Sequence, residues 1–111
     1  MAPEIRPVPR PEWTPLSAPG TSNVEGKVLL VLDNLTVAIL RFAPDGHIPE
    51  VSAPYPTDVI CLEGGGFTSV AGEEGELRAG FSVRWRTDAS RRLWTETETM
   101  TVLMVEHFRQ R

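Results

Sequence analysis

The sequence predicts an all-β domain, and three observations predict it. From Val24 onward, short runs rich in Val, Leu, Ile, Thr and Trp are punctuated by Gly, Asp and Asn about every six to ten residues. No segment carries the apolar spacing of an amphipathic helix of useful length. The first twenty residues hold six of the ten prolines, which excludes helix there as well. Many short strands without helices fit a sandwich or a barrel.

Residues 1–23 read as a Pro-rich extended arm and residues 24–111 as the barrel domain. Trp13 is the one large apolar side chain of the first twenty residues that can pin the arm to a barrel, its own or a neighbour's. Val28 to Leu32 and Leu35 to Phe42 flank Asp33-Asn34, a pair suited to the positive φ values of a type I′ hairpin. Pro44-Asp45-Gly46 reads as the next turn, and Pro49, Pro54 and Pro56 keep the following stretch extended. Asp58 to Glu63 is a strand with Asp58, Ile60 and Leu62 on one face and Val59 and Cys61 on the other, ended by Gly64-Gly65-Gly66. Phe67 to Val70 and Gly75 to Arg78 bracket a turn at Gly72-Glu73-Glu74-Gly75. Ser82 to Arg86, Arg91 to Thr95 and Thr101 to His107 complete the strands, with a turn at Thr87-Asp88-Ala89.

A chain of 111 residues suffices for one apolar core without disulfides. Its net charge of −4 argues against nucleic acid as a partner, and no apolar run is long enough to cross a bilayer. The N-terminus lacks a charged start followed by an apolar stretch, so a cytoplasmic protein is expected, with no membrane partner. Cys61, the single cysteine, reads as a buried, inert thiol. No G-x-S-x-G, paired Cys and His, or phosphate-cradling loop stands out; the glycine run at 64–66 precedes a strand, not a helix.

Two stretches have matching intervals. Gly46, Ser52-Ala53-Pro54, Asp58 and Gly65 are spaced as G-x5-H-x-H-x3-E-x6-G, and Gly80, Arg86-Thr87-Asp88, Arg91 and Thr95 as G-x5-P-x-G-x2-H-x3-N. Together with Asp58-Val59-Ile60-Cys61-Leu62-Glu63-Gly64 and Leu77-Arg78-Ala79-Gly80, they make the region from Val24 to Phe108 resemble the cupin family. The resemblance implies a double-stranded β-helix, a jelly-roll barrel commonly paired as a homodimer. It also implies three histidines and a glutamate converging on a metal ion, where this chain has Ser52, Pro54, Arg91 and Asp58.

That donor set does not suit a transition metal. Pro54 has no side-chain donor, Ser52 a neutral hydroxyl, and Arg91 a permanent positive charge. The expectation is therefore a metal-free barrel without a cofactor, in which an Asp58–Arg91 ion pair replaces the metal. The expected ligand pocket comprises Ser52, Tyr55, Asp58, Trp85, Arg91 and Trp94, with Arg91 available to a small anionic ligand. A binding or accessory module is favoured over a catalyst. The alternative is a metal-dependent isomerase, epimerase or dioxygenase that holds a divalent transition metal through displaced ligands His47, Glu50 and Asp58. A third reading is a partner-binding module acting through the Pro-rich arm.

Overall fold

A computed structural model describes residues 2–108, and every regular element in them is a strand. These are β1 (Arg10–Pro15), β2 (Ser22–Val31), β3 (Leu35–Val51), β4 (Thr57–Val70), β5 (Glu73–Arg78), β6 (Ser82–Trp85), β7 (Arg91–Trp94) and β8 (Met100–His107). No helix among the described residues is long and apolar enough to cross a membrane.

Two long strands, β3 and β4, build the barrel because each bends from one sheet into another. The first half of β3 pairs with β2 and β8, as at Ile39↔Lys27 and Ile39↔Leu103, and its end pairs with β7 at Ile48↔Leu93. The first half of β4 pairs with β6 and β8, its second half with β5 and β7. All pairings are antiparallel, so one sheet runs β1-β2-β3-β8-β4-β6 and the facing one β3-β7-β4-β5. This is the jelly-roll that the cupin resemblance implies.

The bends replace two expected breaks. Gly64-Gly65-Gly66 does not end a strand; it carries β4 between sheets. Gly64 has φ +71°, and a Cβ there would strike the Thr99 carbonyl, while one at Gly66 would come within 2.5 Å of the Trp94 carbonyl oxygen. Only glycine allows backbone to pass that close. Likewise Pro44-Asp45-Gly46 is a bend inside β3, with Asp45 at φ 59°.

Two turns differ from expectation. The β2–β3 hairpin closes through Leu32 and Leu35 around Asp33-Asn34, but neither residue has positive φ, so the turn is not type I′. A register shift between Val28 and Leu30 marks a bulge or irregularity in β2, and a bulge adds local twist that such a turn lacks. The β4–β5 turn is Ala71-Gly72, with φ values of 52° and 83°, rather than Gly72–Gly75. Those two positive values are what a type I′ hairpin requires. The extended arm lies on its own barrel: β1 adds to the edge of β2, and the Trp13 ring lies under Lys27 and Arg41 at 4.7 and 4.1 Å. The expected boundary at residue 23 thus falls inside β2, and residues 109–111 of the expected barrel lie outside the described residues.

The core is formed by Phe42, Val59, Cys61, Leu93, Met100 and Val102, all essentially fully buried, each large aliphatic or aromatic member contributing about 1.5–3 kcal/mol. Burial also pushes the Cys61 thiol pKa up, which keeps it protonated and unreactive.

Ala71→Asn should stabilise the protein by about 0.5 kcal/mol, since Asn tolerates the left-handed region better than Ala. Gly64→Ala should destabilise it by about 3 kcal/mol or more through backbone collision. Urea unfolding of the two variants checks both signs.

Candidate functional site

Side-chain period and register decide what enters the barrel. Thr57, Val59 and Cys61 of β4 are buried with the core, which sends Asp58, Ile60 and Leu62 to the outer face. One inward-facing rung of the first sheet crosses it as Trp85↔Thr57↔Glu106↔Thr36. At the other end, Val24↔Phe42↔Met100↔Gly64 form the corresponding rung. The barrel thus has a polar end and an apolar end.

Asp58 does not meet Arg91. Its carboxylate accepts from Arg84 Nε and Nη2 at 2.9 and 2.7 Å and lies 2.9 Å from His107 Nε2, all on the outer face. The expected Asp58–Arg91 pair is therefore wrong by one residue of strand register. The interval of six from acidic position to closing glycine is satisfied from Asp58 to Gly65, but equally from Thr57 to Gly64. A slip of one residue exchanges the faces of a strand. In the fold Thr57 is the inward residue, 1% exposed, and its hydroxyl has no partner among the described residues.

Arg91 does point inward, at 3% exposure, where it meets carbonyl oxygens instead of a carboxylate. Nε donates to Ala89 at 3.1 Å, and Nη2 donates to Tyr55 and Arg86 at 3.2 and 2.7 Å. Its guanidinium lies 5.5 Å from the centre of the Trp85 ring. Desolvation lowers its pKa, and the surrounding Tyr55, Glu106 and Asp88 oppose that shift. Arg91 thus ties the 52–56 loop to the 86–90 loop through Nε and Nη2.

Of the six expected pocket residues, Tyr55, Trp85 and Arg91 gather at the polar end. Tyr55 donates to Glu106 Oε2 at 3.0 Å, its pKa raised by burial and then by Glu106. Trp85 Nε1 donates to Thr68 Oγ1 at 3.0 Å. Ser52 is exposed, Asp58 faces outward, and Trp94 lies on the outside of the second sheet, stacked on Phe67 with Arg92 above it. None of the six lines the cavity at the apolar end or the smaller one beside β1. Thr57, Thr68 and Glu106 were not singled out from sequence; only the second count to Gly64 points to Thr57.

The displaced metal set fails to assemble. His47 Nε2 accepts from Arg92 Nε at 3.3 Å, Glu50 is exposed, and Asp58 is held by Arg84 and His107. Among the described residues no three His, Cys, Asp or Glu side chains are placed to hold a metal ion. The inward positions at the polar end offer hydroxyls, a guanidinium and one carboxylate, Glu106, which already accepts from Tyr55; a single carboxylate is too few ligands for a divalent transition metal.

No protein-family model matches this sequence, and no curated protein matches it significantly. Solved structures do match. A cupin-like protein from Thermotoga maritima superposes with TM-score 0.79 at 20% identity, covering 86% of this chain and 78% of that one. The fold is that of the cupins. The cupin barrel is equally similar to the polyketide cyclase RemF from Streptomyces resistomycificus, with TM-score 0.78, 16% identity and coverage of 98% and 81%. KdgF from Halomonas matches with TM-score 0.77, 12% identity and 89% coverage of both chains.

Arg91→Met should cost about 3 kcal/mol because three carbonyl oxygens lose their donor, and Arg91→Lys should recover less than half, since a single ammonium cannot reproduce the fork. Chemical denaturation tests this. The Arg84 hydrogen bond, with a smaller contribution from His107, holds the Asp58 carboxyl pKa below its ordinary value. A depressed folded pKa gives stability that is present above the unfolded value of about 4 and lost as pH falls through the folded value. Asp58→Asn should therefore flatten the acid limb of a stability–pH curve below about pH 4.

Proposed function

We propose that this protein is a metal-free cupin barrel that binds a small molecule rather than converting one. The observation that carries this reading is the inward donor set, in which the carbonyl-bound Arg91 stands where the cupin resemblance puts a metal ligand and Thr57 takes the inward place expected of Asp58. The similar structures include a polyketide cyclase, but at 16% identity that likeness extends to the fold alone. With Nε and Nη2 of Arg91 donating to three carbonyls, most of its hydrogen-bonding capacity is already used, which weighs against an anionic ligand at that position.

A homodimer is part of the same proposal. The outer face of the first sheet carries Val37, Val105, Ile39, Leu103 and Ile60 in adjacent register, with Leu62 beside them at 45% exposure. An apolar field of this kind marks a self-association surface in many soluble proteins. Leu103→Glu should then yield a monomer in sedimentation analysis, and an unchanged mass would remove the dimer from the proposal.

Elemental analysis of the protein purified without chelator tests the metal-free reading. Iron, manganese, nickel and zinc should all be well below one per chain, and chelator should leave the melting temperature unchanged. A stoichiometric metal would sink it.

A further inference from the structure

The apolar end of the barrel opens into a cavity of about 660 Å³, within the range of small-molecule sites. Its floor is the rung Val24, Phe42 and Met100, joined by Leu16 of the arm, and Phe42 and Met100 are themselves 1% exposed. A floor of packed core side chains is rigid, so the site is formed before any ligand arrives. Its rim is neutral and polar: Thr21, Ser22, Asn23, Thr99 and Thr101.

Charge selects the occupant. The only charged side chains in the lining are Glu25 and Arg41, and they bond each other at 2.9 Å. An anion would have to compete with Glu25 for Arg41, and a cation with Arg41 for Glu25. Ser22, Asn23, Thr99 and Thr101 present neutral hydrogen-bonding groups at the accessible rim. Such a rim above an apolar floor favours a ligand that brings a donor or acceptor to its edge.

From this we infer that the cavity is the ligand site of the binding barrel proposed above, and that it takes an uncharged, largely apolar small molecule with one hydrogen-bonding group. The inference rests on the metal-free reading for its function but on different residues for its location. The arm is a working part of the site, since residues 15–23 supply much of the wall. Trp13, 4.1 Å from Arg41, is placed to report occupancy.

The test titrates the full chain with two dyes on one scaffold, uncharged phenylnaphthylamine and anionic anilinonaphthalene sulfonate. The uncharged dye should saturate at one per chain and bind at least about tenfold tighter than the sulfonate, a difference of about 1.4 kcal/mol. Ala43→Trp, at an exposed rim position, should abolish binding while leaving the circular dichroism spectrum unchanged; Thr99→Trp is a second blocking variant should the first fail to fold. Glu25→Gln should free Arg41 and bring the two affinities together. Equal affinities in the unaltered protein, no binding of the uncharged dye, or binding indifferent to both blocking variants would each overturn the assignment. None of those results alters the metal content, so this inference and the metal-free reading fail separately.

Discussion

A guanidinium buried inside a β-barrel must be neutralised by a carboxylate or solvated by fixed dipoles, and Arg91 takes the second route. Three carbonyl oxygens from two loops converge on Nε and Nη2, and the Trp85 ring lies within cation–π distance. Taking a cation out of water costs several kcal/mol, so each of those dipoles is held in place by the burial it offsets. The same contacts fix the 52–56 and 86–90 loops at the polar end of the barrel. Tyr55 extends the arrangement to Glu106, which brings a negative charge near the cation without a direct bond.

That fastening shapes the chemistry available. At that end two of the three guanidinium nitrogens of Arg91 are already bonded to backbone carbonyls. The accessible volume lies instead about 20 Å away along β8, reckoned at roughly 3.3 Å per residue, where the arm folds over the Val24–Phe42–Met100 rung. Thr95 supports that end: it accepts from Gly46 N at 2.8 Å and donates to the Ala43 carbonyl at 2.6 Å, bracing the bend in β3 beside the cavity. In this cupin-like fold the polar interior and the open volume lie at opposite ends of the barrel.

Most of the strand pattern was legible because alternation and turn chemistry are local. The hairpin at Asp33-Asn34, the parity of Asp58 to Leu62 and the burial of Cys61 all follow from neighbours in sequence. Errors arose where glycine had two readings. A run of three glycines can end a strand or let backbones cross, and only the approach of Thr99 to Gly64 distinguishes them. The same run gave the spacing to Asp58 two solutions, and the wrong one turned an outward carboxylate inward.

The sequence by itself determined the all-β class through residue type and short-range spacing, and its resemblance to the cupins implied the jelly-roll frame. Tertiary structure alone decided which partner each charge takes. Asp58 lies on Arg84 because β4 pairs with β6 in that register, and Arg91 finds carbonyls because two loops distant in the chain close over it. The cavity belongs to the same category. Its walls come from the arm, β2, β3 and the start of β8, segments that no local pattern relates and only the closed barrel brings together.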